Sequence, residues 1–137
     1  MIEFNFEFEF KLTNEADLKD WISQCIESEN HSLGEINYIF CDDDYLHNLN
    51  VTFLKHDTLT DIISFDNTMG TLVSGDIFIS VERVKENAEI FKVSFEEELH
   101  RVMIHGILHY LGYKDKTVAE KSEMRSKENY YLQLISN

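Results

Sequence analysis

The sequence predicts an α+β fold, a small mixed four-stranded sheet packed with about five helices. Two observations carry this expectation. Short alternating or β-branched apolar runs stand at residues 2–12, 35–41, 60–65 and 75–80. Between and after them, apolar residues recur at helical spacing. The resulting order, β-α-β-α-β-β-α-α-α, suggests one sheet with helices packed around it.

Each element has its own signal. "IEFNFEFEFKL" (2–12) places Phe4, Phe6, Phe8 and Phe10 on one side and Glu3, Glu7 and Glu9 on the other. That period of two marks a half-buried strand. "TNEADLKDWISQCIESEN" spaces Leu18, Trp21, Ile22, Cys25 and Ile26 as one helix face, with Thr13 or Asn14 as the cap. "EINYIFC" (35–41) reads as a strand. "DDDYLHNLNVTFL" then opens with Asp42 to Asp44, where negative charge suits a helix N-terminus, and carries Leu46, Leu49 and Phe53 as its stripe. "TDIISF" (60–65) and "GDIFIS" (75–80) read as neighbouring strands. "VERVKENAEIFK" puts Val81, Val84, Ala88 and Phe91 on one face. "SFEEELHRVMIHGILHYLG" begins with a capping box, Ser94 to Glu97, and ends at Gly112. It is apolar on most sides and reads as a buried central helix. A second capping box, Thr117 to Glu120, opens the last helix, which turns Tyr131, Leu132 and Ile135 inward.

A length of 137 residues fits one domain spanning residues 1–137. The N-terminus lacks the basic segment of a secretory signal, and no apolar run approaches the ~20 residues of a membrane span. The expected location is the cytoplasm, with no membrane partner. Cys25 and Cys41 have no CxxC spacing and read as buried thiols. The net charge of −14 repels nucleic acid at long range. Lys114, Lys116, Lys121, Arg125 and Lys127 gather in one stretch, but Asp115, Glu120 and Glu123 dilute them. That stretch reads as a solvated face.

The chemistry-bearing stretch is "HGILHYLGYKDK" (105–116). On a helix His105 and His109 share a face, about 6 Å apart along the axis. Histidines so spaced serve either as a metal pair or as satisfied core residues. Gly112 can end the helix and turn the chain back, and Asp115 then falls where a third ligand is needed. The offsets match the extended zinc signature HExxHxxGxxH, with Gly106 in place of Glu and Asp115 in place of the third His. This favours the metal pair. Without that Glu, the water-activating base of a peptidase is missing. Gly106 can instead admit a close backbone approach. His100 points away from this face and reads as a surface residue. His31, His47 and His56 lie outside any such spacing and read as structural.

Three blocks together resemble the YbeY endoribonucleases, or rRNA maturation factors. "HGILHYLGYKD" (105–115) is similar to their HGxLHLxGYDH. "LNVTFLKHDTLTDIISF" (49–65) is similar to LN-x-x-[YW]-R-G-x-D-x-PTDVLSF. "SGDIFISVERVKENA" (74–88) resembles LGDIxIs-x-x-x-x-x-x-A. The resemblance implies a fold related to the zinc peptidases (metzincin-related) and one divalent metal ion per chain, usually zinc, held by His105, His109 and Asp115. It also implies cleavage of single-stranded RNA in maturation of small-subunit ribosomal RNA and in ribosome quality control. His56, Thr60, Asp61 and Ser64 fall in the block that the family places beside the metal cleft. The implied partners are ribosomal RNA and the small ribosomal subunit, with a basic ribosomal protein as a further partner for so acidic a chain.

Three positions depart from the family pattern. Asp115 replaces a histidine and brings a negative charge to the metal. Leu54 stands where the family carries Arg, a natural phosphate clamp, with Lys55 and His56 adjacent. Leu59 replaces a proline. The first two departures, with the acidic charge, define an alternative function: a metal-stabilised ribosome-assembly factor with little catalytic activity. No residue stands out in the sequence as general base.

Overall fold

A computed structural model describes residues 1–54 and 60–135. The elements run β1 (Ile2–Phe6), α1 (Glu15–Ser28), β2 (Ser32–Cys41), α2 (Asp43–Leu49), a π-helical turn (Asn50–Leu54), β3 (Ile62–Asp66), β4 (Leu72–Ser80), α3 (Val81–Phe91), α4 (Phe95–Tyr110) and α5 (Val118–Gln133). The sheet order is β1-β2-β4-β3. β1, β2 and β4 are parallel, and β3 closes one edge antiparallel to β4. The expected mixed sheet and five helices are therefore present.

β1 is shorter than its alternating sequence predicts. It pairs with β2 from Ile2 opposite Ile36 to Phe6 opposite Phe40. Beyond Phe40 the partner strand runs out, because Asp42 already caps α2 through its side chain on Tyr45 N. The last backbone bond is Glu7 N to Phe40 O at 2.9 Å. Phe10 leaves the sheet but still packs on the Phe40 ring, 5.6 Å between centroids, and edge-on to Phe95 at 6.0 Å.

The core lies between the sheet and α1, α4 and α5. All five apolar residues expected of α1 are buried. Its expected side-chain cap is not made: Asn14 is the N-cap but adopts φ 58°, outside the extended backbone that turns a side chain onto the first N–H groups. Ser94 accepts from Glu97 N at 3.0 Å, which is half of the expected capping box. The box at Thr117 and Glu120 is complete.

α4 is the central helix, burying Leu99, Val102, Met103, Ile104, Ile107 and Leu108. Tyr38 of β2 donates its hydroxyl to Met103 O at 2.8 Å, which pins α4 to the sheet. The Trp21 indole donates to Tyr131 O at 2.8 Å, joining α1 to α5. His100, expected at the surface, is half-buried beside Trp21, ring centroids 5.9 Å apart. Burial depresses its imidazole pKa.

Two stripe residues are less covered than their spacing suggests. Phe91 is exposed because α3 stops at Lys92, in the left-handed region. Phe53 is 63% exposed because the helix widens into the π-helical turn and rotates it off the Leu46 stripe. No helix among the described residues is long and apolar enough to cross a membrane.

Candidate metal centre

The site is built at the C-terminal end of α4. His105 and His109 are one turn apart, and their Nε2 atoms come within 3.0 Å. The helix then ends in a Schellman motif: Tyr113 N donates to Leu108 O and Gly112 N to His109 O, both at 3.0 Å. Gly112 takes φ 105°, which glycine adopts without strain. The chain turns back, and Asp115 Oδ2 arrives 3.3 Å from each Nε2.

These separations suit one ion. Tetrahedral zinc with bonds of roughly 2.0–2.1 Å holds its ligand atoms about 3.3 Å apart. Two imidazole nitrogens and a carboxylate oxygen, all within 4.8 Å of one another, form a donor set of that size and chemistry. All three side chains remain partly accessible, so the site is open on one side.

α5 supplies a further carboxylate, which the sequence reading missed. Glu128 is 5% exposed. Its Oε2 accepts from His105 Nδ1 at 2.7 Å, and its Oε1 accepts from Arg101 Nη1 at 3.0 Å. Arg125 Nη1 lies 3.6 Å from the same Oε1. Burial pushes the Glu128 carboxyl up, but His105 and Arg101 outweigh it and hold it below its ordinary range. Burial pushes His105 down, but Glu128, Asp115 and Asp61 outweigh it and raise the imidazole. A signal did exist. Glu128 sits in the inward stripe of α5, four residues from Met124 and four from Leu132, where an apolar residue is expected.

The cleft candidates separate. Asp61 lies close enough to His105 to feel its charge, and burial raises the Asp61 carboxyl. Thr60 donates its hydroxyl to Ile62 O at 3.3 Å, at the entrance to β3. Ser64 stands in β3 opposite Ile77 of β4, near the Tyr110 hydroxyl. His56 lies outside the described residues, as do Lys55 and Leu59. Leu54 is exposed. Gly106 faces the sheet: a Cβ there would lie 3.1 Å from Ile77 Cδ1 and 3.2 Å from Ile62 Cδ1. Its lack of a side chain therefore serves helix–sheet packing.

The loop that carries Asp115 is anchored from behind. Tyr113 donates to Glu29 Oε1 at 2.7 Å, and Lys127 donates to Glu29 Oε2 at 3.2 Å. Tyr131 also donates to Glu29. Lys127 is thus part of a partly buried network. Lys114, Lys116, Lys121 and Arg125 are exposed, as a solvated face requires.

Comparison with known proteins gives one answer. The family model described as Endoribonuclease YbeY matches residues 3–136. A relative named Endoribonuclease YbeY from Flavobacterium johnsoniae is 65% identical over 94% of this chain and 93% of its own. One of the same name from Flavobacterium psychrophilum is 60% identical over 98% of this chain and 96% of its own. Among solved structures, the solution structure of TM1509 from Thermotoga maritima superposes with a TM-score of 0.72 at 30% identity, covering 97% of this chain and 87% of that one. The matches span nearly the whole chain and include the α4 site, and the chain belongs to the YbeY endoribonuclease family.

Proposed function

We propose that the protein is a metal-dependent endoribonuclease that cuts single-stranded RNA in the cytoplasm, during maturation of small-subunit ribosomal RNA and in ribosome quality control. The observation that carries the reading is the convergence of His105, His109 and Asp115 at separations of 3.0 and 3.3 Å. One zinc ion per chain suits two imidazoles and a carboxylate. Bound there, it supplies Lewis acidity toward a phosphate oxygen and toward water.

The residues of the chain do the rest. With an ion bound, His105 and His109 would hold it through Nε2, and the Asp115 carboxylate would complete the cradle. Asp61 and Glu128 add carboxylates nearby, in a chain of net charge −14. RNA therefore approaches against repulsion unless a cation occupies the cradle. Gly106, packed on Ile62 and Ile77, carries no carboxylate at the position where the zinc-peptidase signature has its Glu. That favours phosphodiester over peptide substrates.

A specific observation favours a second reading. Leu54 is an exposed apolar side chain where the family pattern carries Arg. A chain without that cation and with this charge suits a metal-stabilised ribosome-assembly factor with little catalysis, held on the small subunit by a basic ribosomal protein. Incubating untagged protein with single-stranded RNA and with precursor small-subunit rRNA separates the two. Zinc-dependent cleavage that disappears in His109→Ala supports the nuclease. Association with small subunits without cleavage supports the assembly factor.

A further inference from the structure

We infer that Glu128, clamped by Arg101, is a positioning residue that presets His105 for metal binding. The inference rests on the metal reading of the α4 site. An imidazole binds a metal only through a nitrogen that carries no proton, so the tautomer decides whether His105 is a ligand. Its Nε2 faces His109 and Asp115, at 3.0 and 3.3 Å. Its Nδ1 faces Glu128 Oε2 at 2.7 Å. A buried carboxylate accepts only from Nδ1–H, which leaves the Nε2 lone pair on the ligand side. The aim of the carboxylate is itself fixed, because Arg101 Nη1 holds the other oxygen at 3.0 Å. Arg101 and His105 are one turn apart on α4, so Glu128 reaches across from α5 and spans both.

Three features argue that this is more than helix packing. Glu128 occupies a buried position where its stripe neighbours Met124, Tyr131 and Leu132 contribute packing, and a carboxylate there costs desolvation. Both of its oxygens are used, one on a proposed ligand and one on the cation that orients it. Arg125, the outer cation at 3.6 Å, is exposed and replaceable by solvent.

The test uses the full chain. In wild-type protein, 15N chemical shifts of His105, recorded above its titration range without metal, should show Nδ1 protonated and Nε2 free. In Glu128→Gln the Nε2–H form should gain population, and zinc affinity by chelator competition should fall about 10–100-fold. Arg125→Ala should leave both readings unchanged. Equal zinc affinity in wild type and Glu128→Gln, with an unchanged tautomer, overturns the inference. A wild-type chain that binds no zinc overturns the metal reading beneath it, which is a different result. If Glu128→Gln does not fold, the wild-type shifts decide alone: a predominantly Nε2–H imidazole overturns the role, and a predominantly Nδ1–H imidazole supports it.

Discussion

Gly106 of α4 rests on Ile77 of β4 so closely that a Cβ at position 106 would stand 3.1 Å from Ile77 Cδ1. The position that carries a catalytic Glu in the zinc-peptidase signature is here a packing contact. Gly106→Glu should therefore cost folding stability on the order of 3 kcal/mol or more, through overpacking and an unpaired buried carboxylate. Denaturant unfolding measures this. A stable Gly106→Glu protein with peptidase activity would show that the helix can lift from the sheet and that the packing argument is wrong.

Gly75 on β4 is tighter still. An added Cβ would meet Phe65 O at 2.5 Å and the Tyr110 ring at 2.6 Å. A carbonyl fixed in the β3–β4 ladder cannot give way, so Gly75→Ala should destabilise the fold more than Gly106→Ala does. The Tyr110 hydroxyl lies 3.0 Å from both Phe65 O and Asp76 O. Tyr110→Phe should cost about 1–2 kcal/mol by removing that donor from a buried site. Equal stability of the two alanine variants would count against the close fit of Tyr110 on the sheet.

The Glu29 network should make stability depend on pH in one direction. Burial raises the Glu29 carboxyl, but Tyr131, Tyr113 and Lys127 outweigh it and hold it below its ordinary range. A depressed carboxyl stabilises the fold above its unfolded pKa and loses that contribution as pH falls through the folded value. Glu29→Gln should therefore be less stable than wild type by about 1–3 kcal/mol at pH 7. The gap should close as the solution is acidified through and below the ordinary carboxyl range. A gap that is constant with pH would mean the network acts through packing alone.

Both cysteines should resist labelling. Cys25 and Cys41 are free and buried, and burial pushes each thiol up to about 12. A thiolate is the reactive form, so a thiol reagent at neutral pH should modify the native chain only as fast as it opens. Rapid labelling before unfolding would contradict the burial of α1 and β2.

Local signals carried most of the fold. The α1 stripe, the two strands around Gly70 and the Gly112 turn each follow from spacing alone, because burial and backbone freedom act over a few residues. What the sequence hid was non-local. β1 stops at Phe6 because its partner strand ends, which alternation inside residues 2–12 cannot reveal. His100 looks solvent-facing relative to His105, yet Trp21 from α1 covers it. At the site, the spacing of His105, His109 and Asp115 was legible because one helix and one turn bring them together. Glu128 was not, because α5 must fold back on α4 before its carboxylate reaches Nδ1. An ionisable residue in an apolar stripe was the trace it left.

The most direct test is metal content and affinity of the untagged chain, native and Asp115→Ala, by mass spectrometry and chelator competition. The three-ligand account expects close to one zinc per native chain, with affinity lost in the variant while the fold persists. A native chain that takes up no metal when zinc is supplied, or an Asp115→Ala chain that binds it equally well, would contradict it.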